Sequence, residues 1–137
     1  MRSSLTKRAG DRGVVAVEFA LIVPLFAALL FGILEYGWIF YQQFNLASAV
    51  RNGLRQGVTI SQTANPDPRA FSVQRTQADL QTMGVAPASV TLTPVYNGTS
   101  PTRTLTLTAV MAYQPLIGLV PTPPQLRYAM TMMLELQ

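Results

Sequence analysis

The chain has 137 residues, 49% of them hydrophobic and 12% charged, with a net charge of +4 and neither cysteine nor histidine. This composition is too apolar for a disordered polar chain. The two missing side chains exclude disulfide frameworks, the usual zinc, thiol and haem ligand sets, and histidine-based triads. The length suits one membrane helix and one small domain.

The positive charge is concentrated at the N-terminus. Residues 1–13 set Arg2, Lys7, Arg8 and Arg12 against Asp11, while the remainder sets six arginines against five acids. A short basic tail before an apolar run follows the positive-inside pattern, which places the N-terminus in the cytoplasm. The charge is thereby accounted for without a nucleic-acid partner.

The next stretch, 14–41, is the one long enough to cross a bilayer. Sixteen uncharged residues separate Glu18 from Glu35. As a helix, Val14 to Leu34 would extend about 31 Å at 1.5 Å per residue, matching a hydrocarbon core of roughly 30 Å. Tyr36, Trp38, Phe40 and Tyr41 suit the far interface. Pro24 removes one backbone donor and bends the helix, which membrane helices tolerate. An apolar stripe at Phe40, Phe44, Ala47, Val50 and Leu54 carries the same helix beyond the membrane, with Gly57 as its stop.

The expected segments are a basic leader over 1–13, a long helix over 14–57 and a small domain over 58–137. Asp67 and Pro68 have the chemistry of an N-cap and first helical position, and Gly84 that of a terminator. The inward stripe of this second helix is read as Ala70, Val73, Leu80 and Met83, with Phe71 and Ala78 on another side. Period-two alternation then marks three strands: Ser89 to Tyr96, Thr104 to Tyr113, and Leu126 to Leu136. The fold class is α+β, a long transmembrane helix followed by a short helix and a three-stranded antiparallel sheet with one face covered.

Glu18 is the costliest residue of the span. A carboxylate in a membrane helix costs roughly 2.5–3.5 kcal/mol near the helix centre. Two readings of it stand side by side. Glu18 snorkels to the cytoplasmic headgroups, or it pairs with an amine freed by cleavage between Gly13 and Val14, which would make it the fifth residue of the mature helix. Cleavage after Gly10 would make it the eighth. Glu35, at the outer boundary, faces headgroup water or pairs with another subunit. Gly32 and Gly37 permit close helix approach, although their spacing of five is not that of small-xxx-small pairs.

Three further motifs have bland readings. Ala47-Ser48-Ala49 has the form of a signal-peptidase site, but it lies well beyond an apolar run already too long for a signal peptide. Asn97-Gly98-Thr99 fits a glycosylation sequon and is read as a turn. The apolar loop Pro115 to Pro121 either folds over the sheet to complete its core or docks on a membrane surface or partner. No spacing pairs Asp67, Asp79 or Glu135 as acid and base, and no glycine-rich phosphate loop occurs. Neither catalysis, cofactor, metal nor small-molecule substrate is expected.

The segment from Gly13 to Gly57 resembles the N-terminal module of TadE-like proteins, minor pseudopilins of the Tad (tight adherence, Flp-type) pilus system. The resemblance rests on Gly13, the run Ala16-Val17-Glu18-Phe19-Ala20-Leu21, Pro24, Gly32, Glu35-Tyr36-Gly37 and Phe40-Tyr41. Val50-Arg51-Asn52-Gly53-Leu54-Arg55 stands where the family carries an AREGAR-like stretch, with Asn52 replacing its acid. The resemblance implies a pilin-like fold, a prepilin peptidase acting after Gly13, and an assembly role for Glu18. It also implies helix contacts with other pilins or pseudopilins through Phe19, Pro24, Gly32, Glu35, Tyr36 and Gly37. The implied location is the bacterial inner membrane, with the C-terminal domain in the periplasm or carried into an extracellular pilus. The alternative from another class is a signal-anchored binding module whose helix is only a tether.

Overall fold

The computed structural model describes residues 4–61, 67–99 and 101–135, with side chains from residue 13 onward. The charges of the N-terminal tail, the turn at 62–66 and Leu136 lie outside the described residues. Helix α1 runs from Ser4 to Val58, so the helical run takes in most of the expected leader and continues one residue past Gly57. Helix α2 covers Pro68–Thr82. After a 3-10 turn at Pro87–Ser89 come β1 (Val90–Asn97), β2 (Thr104–Ala112) and β3 (Gln125–Met133).

The strands form an antiparallel meander in the order β1-β2-β3. Leu92 lies opposite Ala109, and Ala109 opposite Tyr128. Alternation selects one face: Leu105, Leu107, Ala109 and Met111 of the central strand are all buried, with the threonines between them only partly so. Pro94 is tolerated because β1 is an edge strand. β3 stops at Met133, short of the expected end. The Leu134 N–H still donates to the Arg103 carbonyl in register with β2, and the chain turns away at Glu135, whose N–H donates to Val58 at the end of α1.

The upper part of α1 and all of α2 cover this face. The buried stripe of α1 is Ile39, Leu46, Ala49, Val50, Leu54 and Val58. Phe40 and Phe44, expected on that stripe, instead point outward and are 70% and 71% exposed. Both stripes have helical periodicity. The domain sits against the one carrying smaller residues, since two phenylalanines would hold α1 away from the sheet.

The same argument corrects α2. Its start is as expected: Asp67 accepts from the Ala70 N–H at 2.9 Å, and Pro68 opens the helix. Gly84 follows the last turn with φ +78°. Leu80 and the half-buried Val73 pack against the core as expected, but the rest of the inward face is Pro68, Ser72, Thr76 and Asp79, with Ala70 exposed. Ser72 and Thr76 lie against Gly53 and Gly57 of α1. The two helix backbones approach so closely there that only small side chains fit. Both hydroxyls donate to carbonyls of their own helix, at 2.8 Å each, so their burial leaves no donor unpaired.

Candidate functional site

The lower part of α1 projects from this domain. It contains an 18-residue window of mean hydropathy 2.6, none of it buried in the fold. The helix is long and apolar enough to cross a membrane. Gly13, Val14, Glu18, Phe19 and Pro24 lie along this projecting part, all exposed. A Cβ at Gly13 or Gly37 would meet nothing within 4 Å.

Gly32, Glu35 and Tyr36 are different, because the apolar loop between β2 and β3 wraps onto α1 at their level. Glu35 does not face headgroup water; it is fully buried. Its Oε1 accepts from the Tyr113 hydroxyl and from the Leu116 N–H at 2.9 Å. Its Oε2 accepts from the N–H groups of Ile117 at 2.8 Å and Gly118 at 3.2 Å. Nearby, the Tyr36 hydroxyl donates to the Pro121 carbonyl at 3.3 Å. A Cβ on Gly32 would lie 3.9 Å from Val120 Cγ1, an ordinary contact.

The loop's own residues prepare this clamp. Pro115 follows the last residues of β2, and the Tyr113 N–H donates to the Pro124 carbonyl at 3.0 Å, closing the loop at its neck. Gly118 takes φ +77°, a left-handed conformation that curls successive N–H groups toward one point. The carboxylate occupies that point. Burial, and then the hydrogen bond to Glu35, push the Tyr113 phenol up to about 12.

The expectation that this loop completes the sheet core does not hold. Leu116, Ile117 and Leu119 are exposed by 58%, 37% and 67%. The carboxylate, not the apolar side chains, anchors the loop, which turns those side chains outward. The partners of Glu35 lie 78 to 83 residues away in the chain. The signal for them was an acid without a cation near it in sequence, together with a loop rich in unpaired N–H groups.

A second contact links α1 to α2. Asn52 Nδ2 donates to Asp79 Oδ2 at 3.2 Å, and Arg75 reaches the other oxygen at 3.5 Å. An acid at position 52 would confront that carboxylate. On the opposite flank, Trp38, Tyr41, Asn45, Met83 and Met111 line an open cleft of about 520 Å³. No acid or base is among its lining residues.

Residues 13–55 match the family model described as TadE-like protein. Over this segment the chain is similar to TadE-like proteins. The match begins at the glycine before the apolar run and ends within α1, so it covers neither α2 nor the sheet. It coincides with the resemblance carried by Gly13, Glu18, Pro24 and Glu35-Tyr36-Gly37, and associates the chain with Tad-type pilus systems. No curated protein and no solved structure matches the chain.

Proposed function

We propose that the protein is a minor pilin-like subunit of a Tad/Flp-type pilus or its secretion apparatus. A prepilin peptidase cleaves between Gly13 and Val14, and α1 then assembles with other pilins or pseudopilins. Before assembly the chain sits in the inner membrane, N-terminus inside and the α+β domain in the periplasm. It is a structural subunit without catalytic, cofactor or nucleic-acid function.

The observation that carries this reading is the TadE-like match over 13–55, which takes in the cleavage position, Glu18 and the whole apolar run. The physical chemistry agrees with it. Glu18 is exposed on the projecting part of α1, whose apolar window is left unburied by the domain. A carboxylate so placed gains most from a cation supplied within the membrane. The freed α-amine of a neighbouring Val14 is such a cation.

Intact-mass analysis of the membrane fraction tests the maturation step in a host carrying the peptidase. The wild-type protein should begin at Val14, and Gly13→Arg should retain residues 1–13. A Gly13→Arg product that still begins at Val14 would refute the cleavage assignment.

A further inference from the structure

We propose that the loop from Pro115 to Pro121 is a second membrane contact, a short apolar spur that enters the outer leaflet beside α1 and is held there by Glu35. This inference rests on the reading of α1 as a membrane span, and adds a lipid-binding role for the folded domain.

Position is the first argument. The span ends near Leu34, and Val120 lies against Gly32. Gly32 is about 4.5 Å nearer the membrane centre than Glu35, at 1.5 Å per residue. The loop therefore extends past the outer end of the span, where a hydrocarbon core of roughly 30 Å meets its headgroups.

Surface chemistry is the second. Leu116, Ile117 and Leu119 are exposed on the loop, and Phe31, Ile33 and Leu34 are exposed on the adjoining turns of α1. Loop and span thus form one continuous apolar surface, and what covers the span also covers the loop.

The third argument is the backbone. Irregular chain at membrane depth is excluded unless its polar groups are satisfied within the protein. Here three of the loop's five N–H groups, those of Leu116, Ile117 and Gly118, donate to Glu35. Pro115 and Pro121 have no N–H to satisfy. The Pro121 carbonyl accepts from Tyr36. A carboxylate that would be expensive alone at this depth becomes the shared acceptor for the loop's first three amides.

The chain contains no cysteine, so single cysteines report position without a background. Leu119→Cys, Ile22→Cys and Thr93→Cys, each exposed, are made in the full chain. Each is labelled with a polarity-sensitive fluorophore in phosphatidylethanolamine/phosphatidylglycerol vesicles. Ile22 reports the span and Thr93 the outward face of β1. The expected result is loss of Leu119 emission to a lipid quencher carried near the headgroup, loss of Ile22 emission to one carried deep in the acyl chain, and loss of Thr93 emission to aqueous iodide only. Iodide quenching at Leu119 with Ile22 still lipid-quenched overturns the spur and leaves the span intact. Protection of Leu119 from both quenchers also overturns it, since protein then covers the loop. Iodide quenching at Ile22 removes the span reading and this inference with it.

Discussion

Adding one methyl group at Gly53 should separate the two helices of the domain. A Cβ built there lies 2.0 Å from Thr76 Oγ1, 2.7 Å from the Ser72 carbonyl oxygen and 2.9 Å from the Thr76 nitrogen. Ordinary contacts of this kind lie at about 3.5–4.0 Å. Rotation of Thr76 relieves the first clash, but the other two involve backbone, so α2 itself must move by roughly 1 Å. Overpacking a tight site costs about 1–3 kcal/mol, and two backbone clashes place Gly53→Ala at the upper end. Alanine returns about 1 kcal/mol through helix propensity. The net expectation is a loss of about 2 kcal/mol. With a urea slope of roughly 1–3 kcal/mol/M, the midpoint falls by about 1 M.

The single tryptophan, Trp38, packs against the domain core and stacks on Tyr41. Its fluorescence therefore follows unfolding of the full chain in detergent, where the span stays helical. Gly37→Ala is the matched control, with nothing within 4 Å of its Cβ, and should show no loss. Thr76→Ala combined with Gly53→Ala should recover only part of the loss, because the backbone clashes remain. A Gly53→Ala protein as stable as wild type would refute the close approach of α1 and α2.

Two other outcomes follow from single carboxylates. Asp67→Ala should lose about 1 kcal/mol with the cap of α2. The Ala70 N–H and then Arg69 hold the Asp67 carboxyl below its ordinary range. Its contribution is thus complete above an unfolded value of about 3.9 and lost as pH falls through the lower folded value. Asp67→Asn should keep the cap and lose that acid dependence, as read from urea midpoints between pH 3 and 6; an unchanged pH profile would show that Asp67 is not its source. Glu35→Ala should speed hydrogen exchange at the amides of Leu116, Ile117 and Gly118 while β2 stays protected. Unaltered exchange at those three amides would count against the clamp.

Much of the architecture is legible in local pattern. The cap at Asp67, the stop near Gly84, the alternating residues of β2 and the apolar span each depend on neighbours a few residues apart. Faces were harder to read. Phe40-Phe44 and Leu46-Val50-Leu54 are both sound helical stripes, and the choice between them depends on what packs there. The same is true of α2, where Ser72 and Thr76 look like solvent residues until Gly53 and Gly57 are opposite them. The spacing of those two glycines, with three residues between, was the available clue.

The site divides along the same line. Gly13, Val14, Glu18 and Pro24 lie in one continuous helix, where position in sequence sets position along the helix axis; spacing raised Gly13, Val14 and Glu18, and the family resemblance added Pro24 and the assembly role. Glu35 was readable only as a charge at a boundary. Its burial depends on Tyr113 and three loop amides brought from 78 to 83 residues away. Sequence determined the apolar span, the capped helix, the alternating strands and the exposed carboxylate Glu18 on that span, because each follows from short-range periodicity or the transfer energy of a side chain. Tertiary structure alone decided which stripe is buried, why α2 carries small polar residues inward, and that Glu35 clamps a loop, because donors and acceptors so far apart in the chain meet only after the sheet has returned them to the helix.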